Sequence, residues 1–145
     1  MTPQLNELAP DFTAPDQTGQ IHKLSDNHGQ KVLLYFYPKD DTPGCTKEAC
    51  SVRDNWQALK RAGVMVLGVS ADSQQSHQRF VAKYQLPFTL LSDPDKNVIN
   101  LYGDDGVTLP KRISYLIDEE GKILKIYNPV QAATHAEDVL ADLIY

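Results

Sequence analysis

The chain is poor in thiols. Its 145 residues hold two cysteines, Cys45 and Cys50. A disulfide-stapled scaffold is thereby excluded, and a chain of this length can bury a core without staples. Long apolar runs are missing too. The longest, VLLYFY at 32–37 and VMVLGV at 64–69, fall far short of the roughly 20 residues that span a bilayer. There is no basic cluster, and 19 acidic against 14 basic residues leave a net charge of −5. That balance disfavours nucleic acid and anionic membrane as partners. MTPQLNELAP at the N-terminus has neither a positive n-region nor an apolar h-region, so the expected location is cytoplasmic. Repeats, linkers and low-complexity tracts are absent as well. With 41% hydrophobic and 23% charged residues, the composition points to one folded domain over 1–145.

What is present alternates between strand-like and helix-like patterns. DFTAPDQTGQIHKLSD (11–26) reads as a hairpin with Thr18 and Gly19 in its turn. KVLLYFY (31–37) suits a buried central strand ended by Pro38. A polar turn over 39–44 leads into a helix over about 45–62. Val52, Trp56 and Leu59 lie along its inner face, Lys47, Arg53, Lys60 and Arg61 point to water, and Gly63 stops it. A second buried strand follows at 64–71, then a helix over 72–85 capped by Asp72 or Ser73. A strand at 87–93 precedes a short helix that Pro94 opens and that runs to about Leu101. ISYLID (113–118) and ILKIYN (123–128) form a hairpin. An amphipathic helix spans 134–145, with Thr134 and Glu137 spaced as a capping box. The order implies an α/β fold: a mixed central sheet with helices on both faces.

The two cysteines share one stretch, YPKDDTPGCTKEAC at 37–50. Three readings are open for such a pair: a structural disulfide, half of a metal site, or a working redox couple. A reducing compartment weakens the first. For the second, His22, His28, His77 and His135 show no ligand spacing to the cysteines or to one another. Cys45 falls where a helix begins, and the free N–H groups and partial positive charge of a helix N-terminus favour a thiolate. Thr42 can turn its hydroxyl toward the same place, while Pro38 and Pro43 fix the backbone. Five residues of regular helix hold two Cα atoms roughly 8–9 Å apart, beyond the roughly 7 Å a disulfide spans. Such a pair bonds only if the helix unwinds.

PKDDTPGC, Pro38 to Cys45, matches the peroxiredoxin pattern P-x-x-x-T/S-x-x-C. With Cys50 five residues on, the chain resembles the peroxiredoxin Q or bacterioferritin comigratory protein subfamily. APDFTAPDQTG (9–19), GVSADSQQSHQRFVAKYQLPFTLLSDPD (68–95) and RISYLIDEEGKI (112–123) extend the resemblance over nearly the whole chain. Ala71 stands where members often carry proline, and YGDDGVTLPK (102–111) matches least well.

The resemblance implies a thioredoxin fold with an N-terminal β-hairpin extension. It implies a thiol peroxidase acting on hydrogen peroxide and organic hydroperoxides, in antioxidant defence. Cys45 is then the peroxidatic nucleophile and Cys50 the resolving thiol, joining in an intrachain disulfide. Thr42 hydrogen-bonds the peroxide, Arg112 stabilises the thiolate, Pro38 shields the sulfenate and Glu48 orients the arginine. No metal or organic cofactor is required. The implied partners are a hydroperoxide and a thioredoxin or glutaredoxin-like reductant, and the implied state is a monomer. A protein thiol–disulfide oxidoreductase is a second reading, against which the missing C-x-x-C counts. A non-enzymatic redox sensor is a third.

Overall fold

The computed structural model describes residues 3–103, 111–128 and 130–143. Strand β3, Lys31–Phe36, is the middle of a five-stranded sheet. Its β-branched, aliphatic and aromatic run is buried on both faces, as a central strand requires. β4 (Val64–Ser70) pairs parallel to it, and β5 (Thr89–Ser92) pairs parallel to β4. On the other side β6 (Ile113–Ile117) pairs antiparallel to β3, and β7 (Ile123–Tyr127) closes the edge. The sheet order is therefore β5-β4-β3-β6-β7, the mixed sheet expected. The N-terminal hairpin, β1 (Thr13–Pro15) with β2 (Ile21–Lys23), stands apart as its own small sheet. Its turn rests on Gly19 at φ +90 and on the Asp16 carboxylate, which accepts from the Thr18 and Gln20 N–H groups.

The period of two along β3 divides the core. Val32, Leu34 and Phe36 face Ile113, Tyr115, Ile99 and Tyr102. Leu33, Tyr35 and Tyr37 face the opposite layer, made of Cys45, Ala49, Val52, Leu59, Phe80 and Val139. Each fully buried Leu or Phe contributes about 1.5–3 kcal/mol relative to exposure. The cysteine stretch thus lies in a packed layer against the sheet. No helix among the described residues is long and apolar enough to cross a membrane.

The helices correct the sequence expectations in several places. The helix expected over 45–62 starts earlier and breaks. α1 runs Pro43–Asp54, with proline in its first turn where the lost N–H costs nothing, and α2 runs Trp56–Arg61. Asn55 lies between them at φ −110, its side-chain amide donating to the Ser51 carbonyl at 2.8 Å. That bond offers the backbone an alternative to continuing the helix. Arg53 does not simply face water, because Nη1 donates to the Tyr84 carbonyl. Gly63, at φ +77, ends α2 as expected.

In α3 (Gln74–Tyr84) the cap is Ser73, which accepts from the Ser76 N–H, and Asp72 is engaged elsewhere. α4 (Asn97–Leu101) begins three residues beyond Pro94. Pro94 and Asp95 form a turn instead, and Asp93 reaches forward to accept from the Ile99 N–H at 2.8 Å. α5 spans His135–Asp142 without the expected capping box. The Thr134 hydroxyl donates to Asp138, and the Ser51 hydroxyl oxygen of α1 accepts from the Ala136 N–H at 3.1 Å. Most of the stretch 102–111, including Pro110, and the last two residues of the helix expected to 145 lie outside the described residues.

Candidate active site

After Phe36 the chain leaves the sheet through buried Tyr37 and half-buried Pro38. The turn that follows places Asp41 at φ +59 and brings Thr42 to the N-cap of α1 in extended geometry. Cys45 is then the third helical residue, inside the turn whose backbone N–H groups lack intrahelical partners. Its side chain points inward and is 2% exposed.

The antiparallel pairing of β3 with β6 supplies the rest. Phe36 lies opposite Ile113, so Arg112, just before β6, emerges beside the start of α1. Its guanidinium forks. Nη2 donates to Cys45 Sγ at 3.2 Å, and Nη1 donates to Glu48 Oε1 at 2.8 Å. Cys45 and Glu48 are three apart on one helix face, and one planar cation serves both. A guanidinium and a helix N-terminus converging on one sulfur stabilise negative charge there. Burial works against the Arg112 charge, but the bonds to Glu48 and Cys45 outweigh it and raise the pKa further.

Gly44 makes room for this contact. A Cβ at that position would sit 2.8 Å from Arg112 Nη2. The guanidinium passes directly over the bare backbone.

Glu48 is fully buried. Burial raises its carboxyl to about 7, against the opposing pull of the Arg112 hydrogen bond and charge. Ion pairing and desolvation therefore compete within this one group. Its second oxygen, Oε2, has no hydrogen-bond partner among the described residues, and His135 Nε2 lies 3.7 Å away. His135 is pushed down to about 4, mainly by burial, with Arg112 adding to the effect. The ring stays neutral and shares a 2.8 Å bond with Ser114 Oγ. The Tyr35 hydroxyl, also buried, has no partner among the described residues. Burial, then the charges of Glu48 and Cys45, hold it well above its ordinary pKa.

The expected residues fall as follows. Cys45, Arg112 and Glu48 form one hydrogen-bonded unit. Thr42 donates its hydroxyl proton to the Lys39 carbonyl at 2.8 Å, which leaves the oxygen to act as an acceptor. Pro38 sits in the turn between strand and helix. Cys50 is half-buried on α1, and both thiols are free in a continuous helix. Sequence reasoning missed Gly44, Tyr35 and His135. Nothing in the sequence singles out Gly44; its role shows in the structure, where it lies in a first helical turn without positive φ and under the Arg112 guanidinium.

Asp40, Asp72 and His77 come close enough to hold a cation, but their groups already bind one another. His77 Nδ1 meets Asp40, His77 Nε2 meets the Leu91 carbonyl, and Asp72 Oδ2 accepts from the Asp40 N–H and the Ser70 hydroxyl.

Residues 5–126 match the AhpC/TSA family. The chain is 45% identical to peroxiredoxin Bcp of Escherichia coli strain K12, over 92% of this chain and 91% of that one. Among solved structures, a cysteine-to-serine variant of PrxQ from Xylella fastidiosa superposes with a TM-score of 0.94 at 28% identity, covering 99% and 97% of the two chains. The bacterioferritin comigratory protein of Xanthomonas campestris, solved for its alkyl peroxide reduction activity with trapped intermediate and ligand, superposes at 0.87 with 32% identity, over 92% and 90%.

Proposed function

Because the chain belongs to the AhpC/TSA family, among its peroxiredoxin Q and Bcp members, and is thus a thiol-dependent peroxidase, we propose that its cycle runs through Cys45 and Cys50 in one helix. The Cys45 thiolate attacks the terminal oxygen of a hydroperoxide. The S–O bond forms as the O–O bond breaks, and the departing oxygen takes up a proton and leaves as alcohol or water. Cys45 is left as a sulfenic acid. The Thr42 oxygen accepts the peroxide O–H, Arg112 holds the charge that passes from sulfur to the leaving oxygen, and Glu48 fixes the guanidinium. Pro38 shields the sulfenic acid from water. Cys50 then condenses with Cys45, expelling water and forming an intrachain disulfide, which requires α1 to unwind between them. A thioredoxin or glutaredoxin-like dithiol returns the two electrons. The enzyme works as a single-domain monomer in the cytoplasm, with no metal or organic cofactor.

The observation carrying this reading is the 3.2 Å contact from Arg112 Nη2 to Cys45 Sγ at the N-terminus of α1. The test is a thiol count after one equivalent of hydrogen peroxide, paired with NADPH consumption coupled through thioredoxin and its reductase. Wild type loses both thiols and turns over. Cys45→Ser does neither, and Cys50→Ser consumes one equivalent without thioredoxin-linked turnover. Survival of both thiols in wild type sinks the cycle.

A further inference from the structure

The turn over 38–42 carries Thr42 and includes one residue in left-handed backbone geometry. Asp41 sits at φ +59, a left-handed conformation that aspartate visits more readily than most residues other than glycine. Contacts from outside the turn support it.

That support comes from α3. Asp40, buried, accepts from the Tyr37 hydroxyl at 2.6 Å, from the Ser76 hydroxyl at 2.8 Å and from His77 Nδ1 at 2.7 Å. His77 has no exposed surface, and its Nε2 donates to the Leu91 carbonyl in β5 at 2.9 Å. The Asp40 N–H donates to Asp72 Oδ2 at 2.9 Å. Next to it, the Asp41 carboxylate accepts from Lys83 Nζ at 2.8 Å and from the Tyr84 hydroxyl at 2.6 Å.

His77 meets an acceptor at each nitrogen, a carbonyl on one side and a carboxylate on the other. A neutral imidazole has only one N–H. A proton therefore lies between ring and carboxyl in a buried hydrogen bond, and two hydroxyls occupy further acceptor sites of Asp40. Apolar residues of equal volume can stabilise a core as well as such a pair. What they cannot supply is a directional anchor, and this anchor ends two residues before Thr42.

We propose that Asp40 and His77 are positioning residues of the peroxide reaction, tying the Thr42 turn to α3 and β5 so that Thr42 stays in register with Cys45. The inference rests on reading Thr42 and Cys45 as the peroxide site. The Asp40–His77 pair reaches substrate only through the turn, whose shape also sets the bond from the Thr42 hydroxyl to the Lys39 carbonyl.

The experiment compares two reactions of Cys45 in reduced protein: oxidation by hydrogen peroxide and alkylation by iodoacetamide. Alkylation needs the thiolate but no peroxide pocket. In His77→Gln the bimolecular rate with peroxide falls about tenfold or more, while the alkylation rate is unchanged. A double variant, Lys83→Met with Tyr84→Phe, loosens the same turn from outside and gives a smaller loss of the same kind. Exposed pairs of this sort contribute little to stability, so this variant folds and decides the matter alone should His77→Gln not fold. Peroxide rates equal to wild type, or alkylation falling in parallel, overturn the inference while leaving the peroxidase reading intact. Wild type inert to peroxide overturns the reading of the site itself.

Discussion

Gly44 and Arg112 share one volume. A β-carbon on Gly44 would lie 2.8 Å from Nη2 of the arginine, closer than such atoms approach, and 3.4 Å from Cζ. The same Nη2 donates to Cys45 Sγ, so the space beside residue 44 is part of the sulfur's environment.

Gly44→Ala should therefore separate stability from activity. The obstructing group is the far end of a flexible side chain, so the guanidinium shifts and the backbone stays. Alanine is the better residue in a helix by roughly 0.5–1 kcal/mol. The expected result is a melting temperature equal to wild type or higher, with oxidation of Cys45 by peroxide about tenfold to a hundredfold slower. Stopped-flow oxidation and thermal unfolding measure the two quantities. An unchanged rate would show that the arginine contact does not matter to the chemistry.

Glu48 makes a prediction about pH. Its carboxyl is raised from 4.5 to about 7 by burial, against the pull of Arg112. A carboxyl whose folded pKa exceeds its unfolded one binds more protons when folded, so stability falls as pH rises. The penalty is absent below about 4.5, builds through the window, and is complete above about 7. Glu48→Gln keeps an oxygen for Arg112 and cannot ionise. Wild type should lose about 3 kcal/mol relative to this variant across the window. Urea unfolding of both proteins at several pH values tests it, and parallel curves would refute a buried carboxyl with a raised pKa.

Ser51 and Thr134 make a contrasting pair. The Ser51 oxygen, on α1, accepts from the Ala136 N–H in the first turn of α5, whereas the Thr134 hydroxyl donates to the Asp138 side chain at the surface. Ser51→Ala should cost about 1 kcal/mol, as loss of a helix cap does. Thr134→Ala should cost no more than a few tenths, as an exposed bond does. The reverse order in urea denaturation would restore the capping box to Thr134.

Much of the fold was legible in local pattern. The apolar runs at 31–37 and 64–71 are buried strands because a central strand has no polar face. Gly19 and Gly63 mark turns because those positions need positive φ. The misses have local causes of another kind. Val52, Trp56 and Leu59 keep a helical spacing across the break, so nothing in the pattern shows that Asn55 has turned its amide onto Ser51. Thr134 and Glu137 match a capping motif, but a serine 83 positions earlier in the chain takes the N–H. His77 sits among Ser76, Gln78 and Arg79, the composition of a solvated helix face, yet it has no exposed surface.

The setting of Cys45 was readable from the residues alone. Proline, threonine and cysteine at 38, 42 and 45 describe a strand end, a helix cap and a first helical turn. Helix geometry then keeps Cys50 out of bonding reach. Such relations span a few residues and follow from backbone dihedrals. Residue type, by contrast, could not say which arginine reaches the sulfur, and Arg112 came only through family resemblance. Its approach depends on the antiparallel pairing of Phe36 with Ile113, and the buried Glu48 depends on α5 packing His135 against Ser114. The turn likewise depends on α3 delivering His77 to Asp40. These contacts join residues 21 to 87 apart, and chain entropy keeps them unformed until the sheet and its helices assemble.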